Sequence, residues 1–292
     1  MVKADISPRF EDTVVEIDAG LKAVLEAGEG LLAAIPKPAS IVASFDSEAF
    51  AELGALRLAF LIEQKSSYGK LASQMMRIGV AVDDERAVFV QRENPQASDI
   101  AVGFFSKRLM RRRIEQRAVR NGGIERLRTM LGRADRLAGL IEAHRRSVTS
   151  QRTAAENALA GLAELRSIDA PGAAPDGEDG SAKDGVGNMS GRLDFERMVG
   201  QVDTVARALN AGVRDLNLLL QKLSLDIENL LDLYSVLLSF DREREAHRLS
   251  PDAYPHITRP VWRFGHELLP GGRLERSRQR MDVAFAKRFE GA

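Results

Sequence analysis

The heaviest constraint on this chain is a run of apolar residues between Phe195 and Leu237. Phe195, Met198, Val202, Val205, Leu209, Gly212, Leu216, Leu219 and Leu223 follow one another in alternating steps of three and four. Ile227, Leu230, Tyr234 and Leu237 resume the series after a doubled four-residue step. Such spacing puts side chains on one face of an α-helix, as the a and d seam of a coiled coil. The double step through Leu219, Leu223 and Ile227 reads as a stutter, which unwinds a left-handed supercoil locally and turns Asp226 outward. Leu209, Leu216, Leu223, Ile227, Leu230 and Leu237 are the expected packing anchors. Leu218, Leu220, Leu225, Leu231, Leu233 and Leu238 flank the seam and widen the stripe beyond what one partner helix covers. A bundle of three or more helices follows.

Composition agrees. Aromatic residues make up 5% of the 292 residues and charged ones 29%, and Leu, Ala and Val dominate the apolar content, a balance that suits long helices. The fold expected is all-α: an elongated helical bundle built on an antiparallel coiled-coil hairpin, with shorter packing helices and a disordered inter-helix linker. With no cysteine, disulfides, thiol nucleophiles and cysteine-held metal centres are excluded. No apolar run approaches the roughly 20 residues of a spanning helix, and Met1 to Arg9 lacks the apolar stretch of a signal peptide. The expectation is a cytoplasmic protein, at most peripheral at the inner membrane surface.

Taken in order, residues 1–98 read as N-terminal helices packing on the bundle. The first is seamed by Phe10, Val14, Ile17, Leu21, Val24, Gly28, Leu31 and Ile35 and stopped by Pro36 and Pro38. The second starts at Asp46 or Ser47 with Phe50, Leu53, Leu56, Phe60 and Leu61 inward and continues less regularly through Tyr68, Leu71, Met75 and Ile78, with a kink or exposed turn expected at Glu63 to Ser67. Ala87 to Val90 reads as the tail of that helix in preference to a short strand. Residues 99–168 form one hairpin arm: a basic helix from Ile100 to about Arg120, a break at Asn121-Gly122-Gly123, then a helix to Ile168 with Arg145 and Arg152 on seam positions. Residues 169–190, rich in Ala, Pro, Gly and Asp, form the disordered linker. Residues 191–248 are the long heptad helix. Residues 249–292 are a Pro-punctuated tail ending in an amphipathic helix with Leu274, Met281, Phe285 and Phe289 on one side.

Net charge is zero, yet Phe104 to Arg152 holds fourteen basic residues against four acidic ones, 14 − 4 = +10. Either an anionic partner or acidic neighbours within the chain must answer that surplus. Its densest part, Phe104-Phe105-Ser106-Lys107-Arg108-Leu109-Met110-Arg111-Arg112-Arg113, joins aromatics to cations. Lys107, Arg108, Arg111, Arg112 and Arg113 suit an anionic lipid surface and, in third place, nucleic-acid phosphates. The plainer alternative packs Phe104, Phe105, Leu109 and Ile114 into the bundle and pairs the arginines internally.

No motif marks a reaction. Gly69-Lys70 lacks the rest of a phosphate-binding loop. None of His144, His247, His256 and His266 follows a Glu-x-x-His pattern. Asp252, His256 and His266 around Trp262 read as the rim of a packed tail. No catalytic residue, cofactor, metal or small-molecule substrate is expected. The sequence points first to a non-enzymatic coiled-coil scaffold or adaptor that associates through helices, with itself as a homo-oligomer or with another helical protein. It points second to a peripheral membrane-binding or membrane-remodelling protein.

Overall fold

The computed structural model describes residues 7–35, 47–93, 96–110, 112–113, 123–168, 184–249 and 273–289. Within them the chain is all α-helical: α1 (Ser7–Ala33), α2 (Ser47–Glu93), α3 (Ala97–Phe105), α4 (Gly123–Ile168), α5 (Asp184–Leu249) and α6 (Arg273–Phe289). Most of the expected linker and the Pro-rich tail with Trp262, His256 and His266 lie outside the described residues. At its end, 184–190 belong to α5 instead. Asp83 to Glu93 continues α2 as helix.

The chain divides into two compact units, to both of which α2, α4 and α5 contribute. Unit 1 (Met1–Lys70 with Leu140–Asn217) packs α1 against the adjoining parts of those helices. Phe10, Val14, Ile17, Leu21, Val24 and Leu31 of α1 are buried there, as are Val202, Val205, Leu209 and Leu216 of α5. Polar residues enter this core opposite glycines. A Cβ on Gly20 would stand 2.7 Å from Ser67 Oγ, and one on Gly28 or Gly212 would collide with the Gln151 or Gln64 amide. Gln151 Nε2 donates to Leu25 O at 2.9 Å. Tyr68 Oη and His144 Nε2 lie 3.1 Å apart, with the rings edge-on. Burial holds the Tyr68 hydroxyl above its ordinary pKa and lowers His144 to about 4.

α2 runs as unbroken helix through Glu63 to Ser67, with no exposed turn there. Gln64 and Ser67 point inward with glycines making room, while Leu61, expected inside, is 36% exposed. The α4 seam likewise runs through Leu137, His144 and Gln151, one residue before the arginines first placed on it. Arg145 flanks it, pairing with Glu142 at 2.8 Å and reaching Asn217; Arg152 pairs with Glu156.

Unit 2 (Leu71–Gly139 with Leu218–Ala292) takes α6 as its own closing helix. Leu71, Met75, Ile78 and Val82 of α2, Leu127, Ala134 and Leu137 of α4, and Leu219, Leu223, Leu230, Leu233 and Leu237 of α5 are buried. The expected stutter is absent. Buried positions run 219, 223, 226, 230, 233 and 237 in unbroken three–four alternation, so Asp226 occupies a core position while Ile227 and Tyr234 are half-buried. The register holds because the Asp226 carboxylate is answered in place. Lys222 Nζ donates to both its oxygens at 2.8 Å and ion-pairs with Asp282 at 2.9 Å. Arg278 approaches Asp226 at 3.5 Å, holds Asp83 through both guanidinium nitrogens, and donates to Gly79 O. Lys222 and Asp226 are fully buried. Burial raises the Asp226 pKa against the opposing pull of Lys222 and Arg278.

Candidate anion-contact site

α3 is short because both its ends are capped locally. Gln96 and Asp99 form a reciprocal capping box, with Asp99 Oδ2 accepting the Gln96 N–H at 2.8 Å. At the other end Ser106 takes an extended backbone and its N–H closes on Val102 O at 2.8 Å. The Ser106 hydroxyl accepts the Leu109 N–H at 3.3 Å, starting a new helical turn over 107–110. One serine thus ends one helix and begins the next, so the continuous basic helix expected from Ile100 is broken at Ser106. Gly103 sits where a Cβ would press on Met110 Sδ, so the 107–110 turn folds back along α3.

The break leaves the apolar side chains outward. Phe104 and Phe105 are 85% and 93% exposed, the highest values for large apolar side chains among the described residues, and Ile100 and Leu109 are half exposed. Packing of Phe104, Phe105 and Leu109 into the bundle is thereby overturned; Ile114 lies outside the described residues. Lys107, Arg108, Arg112 and Arg113 are exposed, and among the described residues none has a carboxylate partner. Arg111 falls outside them.

The +10 segment splits at this point into two populations. In α4 the arginines are answered within the chain: Arg126 by Glu85, Arg128 by Glu125 and the Tyr234 hydroxyl, and Arg145 and Arg146 by Glu142. Among the described residues, Lys107, Arg108, Arg112 and Arg113 beside Phe104 and Phe105 are exposed without such an answer. An exposed aromatic pair with cations at its side can enter an apolar boundary while the charges meet anions.

The packing anchors Leu209, Leu216, Leu223, Leu230 and Leu237 are at most 6% exposed within a single chain. Two features escaped the sequence: Ile100 as a member of the exposed edge, and the Lys222–Asp226–Arg278 cluster. The signal for the second was present, since Asp226 lies at an unbroken heptad position with Lys222 one turn before it. No cluster of potential metal ligands occurs among the described residues.

Fold and site together define an all-α bundle with an outward aromatic–cationic edge. No protein-family model, curated protein or solved structure matches the chain.

Proposed function

We propose that this chain is a helical-bundle protein that docks peripherally on an anionic membrane surface through α3 and the turn after it. The observation that carries the reading is the near-complete exposure of Phe104 and Phe105 beside Lys107, Arg108, Arg112 and Arg113. Phenyl rings settle in the interfacial region while Lys and Arg meet lipid phosphates. No helix among the described residues is long and apolar enough to cross a bilayer, so the contact is a surface one. Each basic residue near an anionic leaflet contributes about 1 kcal/mol. A phenyl side chain contributes up to about 1.5–3 kcal/mol when fully buried, and less at an interface. The sum, roughly 6–8 kcal/mol, corresponds to micromolar binding.

Self-association through the heptad seam, the first expectation from sequence, has less to support it, because those leucines are covered within one chain. The deciding experiment is co-sedimentation with vesicles of phosphatidylcholine alone or with 30% phosphatidylserine. Binding should require the anionic lipid, weaken in high salt, and fall at least tenfold in Phe104→Ser/Phe105→Ser. Absence of binding to anionic vesicles at low salt sinks the proposal. A gel shift with steep salt dependence in that case would assign the cations to nucleic-acid phosphates instead.

A further inference from the structure

The helices that close the two units are held by different chemistry. α1 gives unit 1 six large buried apolar side chains, from Phe10 to Leu31. Among the described side chains of α6, only Arg278 and Phe285 are buried. Met281 and Phe289 are half-buried, and the polar contacts of the helix include Arg278 to Asp83, Asp226 and the Gly79 carbonyl, and Asp282 to Lys222. A buried ion pair returns in attraction about what it costs in lost hydration. With less apolar surface buried than α1, α6 is the closing helix whose seat depends most on these polar partners staying in place.

Once off its seat, α6 has the makings of an interfacial helix. It carries Arg273, Arg276, Arg278, Arg280, Lys287 and Arg288 against Glu275 and Asp282, 6 − 2 = +4. At 3.6 residues per turn Leu274, Met281, Phe285 and Phe289 share one side, and Arg276, Arg280 and Lys287 the other. Phe285 and Phe289 already stack with centroids 4.8 Å apart. A basic amphipathic helix with aromatic anchors lies in the headgroup boundary of an anionic bilayer, and the long stem of Arg278 lets its charge reach phosphate from the apolar side.

We propose that α6 is a second membrane-contact helix, stowed in unit 2 by the Arg278 and Asp282 ion pairs and released onto an anionic bilayer. The inference rests on the reading of α3 as a membrane contact. It supplies that contact with regulation: the charges that answer Arg278 and Asp282 inside the protein compete with the lipid for the helix.

The test uses the full chain, whose lack of cysteine permits a single label. An environment-sensitive dye is attached at Phe289→Cys on the apolar side, or at Val283→Cys on the polar side as control. Anionic vesicles should blue-shift the dye at 289 and not at 283, and a lipid-borne quencher should reach only the first. Asp83→Asn leaves a half-exposed amide in place of one Arg278 partner and keeps the fold, checked by circular dichroism. Losing a charged hydrogen bond of this kind should raise the vesicle-bound fraction of the 289 dye roughly tenfold at limiting lipid.

If the chain sediments with vesicles in a Phe104- and Phe105-dependent way while the 289 dye stays silent, the α6 inference falls and the α3 reading stands. If the dye inserts equally in the Phe104→Ser/Phe105→Ser background, α6 stands and α3 falls. Identical insertion with and without Asp83→Asn overturns the stowing by ion pairs.

Discussion

Lys222→Met and Asp226→Leu remove partners from one buried ion pair, yet they should not cost the same. With charges 2.8 Å apart and an effective dielectric of about 20, the pair attracts by roughly 6 kcal/mol. Lost hydration takes several kcal/mol per ion, so the pair as a whole contributes little. What differs is the charge left behind. Without Asp226, Lys222 keeps Asp282 at 2.9 Å and Arg278 keeps Asp83 at 2.7 Å, two bases against two acids. The cost should stay below about 2 kcal/mol. Without Lys222, Asp226 and Asp282 share Arg278 with Asp83, and a fully buried carboxylate loses its closest partner. That should cost about 3–5 kcal/mol. The double variant Lys222→Met/Asp226→Leu replaces both by apolar side chains of similar volume and should return to within about 1 kcal/mol of the parent. The assay is urea unfolding followed by circular dichroism, with amide exchange across α5 to place the change in unit 2. Lowering the pH should recover part of the Lys222→Met loss, because burial already raises the Asp226 pKa. Equal costs for the two single variants, summing in the double, would refute the charge-balance reasoning.

Three further outcomes follow. His144 is buried and its folded pKa is about 4 against an ordinary 6.5, so the unfolded chain takes up its proton first. Its contribution is complete above pH 6.5, declines as pH falls toward 4, and amounts to about 3 kcal/mol; a His144→Gln variant with an unchanged stability–pH profile would refute this. Leu223→Ala should cost about 2–5 kcal/mol and leave the molar mass in solution unaltered, because Leu223 is covered within one chain; light scattering beside thermal unfolding checks both. Gly212→Ala gains helix propensity of about 1 kcal/mol but pushes the Gln64 amide aside, so its net effect should stay within about 1 kcal/mol, and in the Gln64→Ala background the same change should be stabilising in a double-mutant cycle.

Where periodicity carried apolar residues alone, the fold was readable. The α1 seam from Phe10 to Leu31 and the α5 seam from Met198 to Leu223 are buried as their spacing demands. Reading failed where a polar residue sits in the seam. Treating polarity as a sign of exposure moved Ile227 inward in place of Asp226 and put Leu61 inside where Gln64 and Ser67 belong, and unbroken heptad spacing was the better guide to both. In α4 heptad spacing fits two registers one residue apart, and the structure takes the one through His144 and Gln151, not the one through Arg145 and Arg152. A polar side chain at an inward position is turned outward only if nothing inside can answer it. Here Lys222 answers Asp226, Tyr68 answers His144, and the Leu25 carbonyl answers Gln151. These partners lie one turn away or on another helix, so only the first could be found in the local sequence.

The candidate site was legible for a different reason and stopped at a different limit. Phe104 to Arg113 stood out by composition, yet composition assigns no direction to a side chain. Direction came from Ser106, whose hydroxyl captures the Leu109 N–H and breaks the helix between the phenylalanines and the cations. Unbroken, the segment would present Val102, Phe105 and Leu109 as one stripe fit for a core, with arginines interrupting it. Broken, it places two rings and four cations outward at one edge. Ser106→Ala therefore tests the architecture of the edge directly. Removing that hydroxyl should cost the 107–110 turn about 1 kcal/mol of capping and weaken anionic-vesicle binding severalfold without lowering the unfolding midpoint of the bundle, since no core residue is touched. Vesicle binding unchanged by Ser106→Ala would mean that the rings and cations bind independently of the break that exposes them.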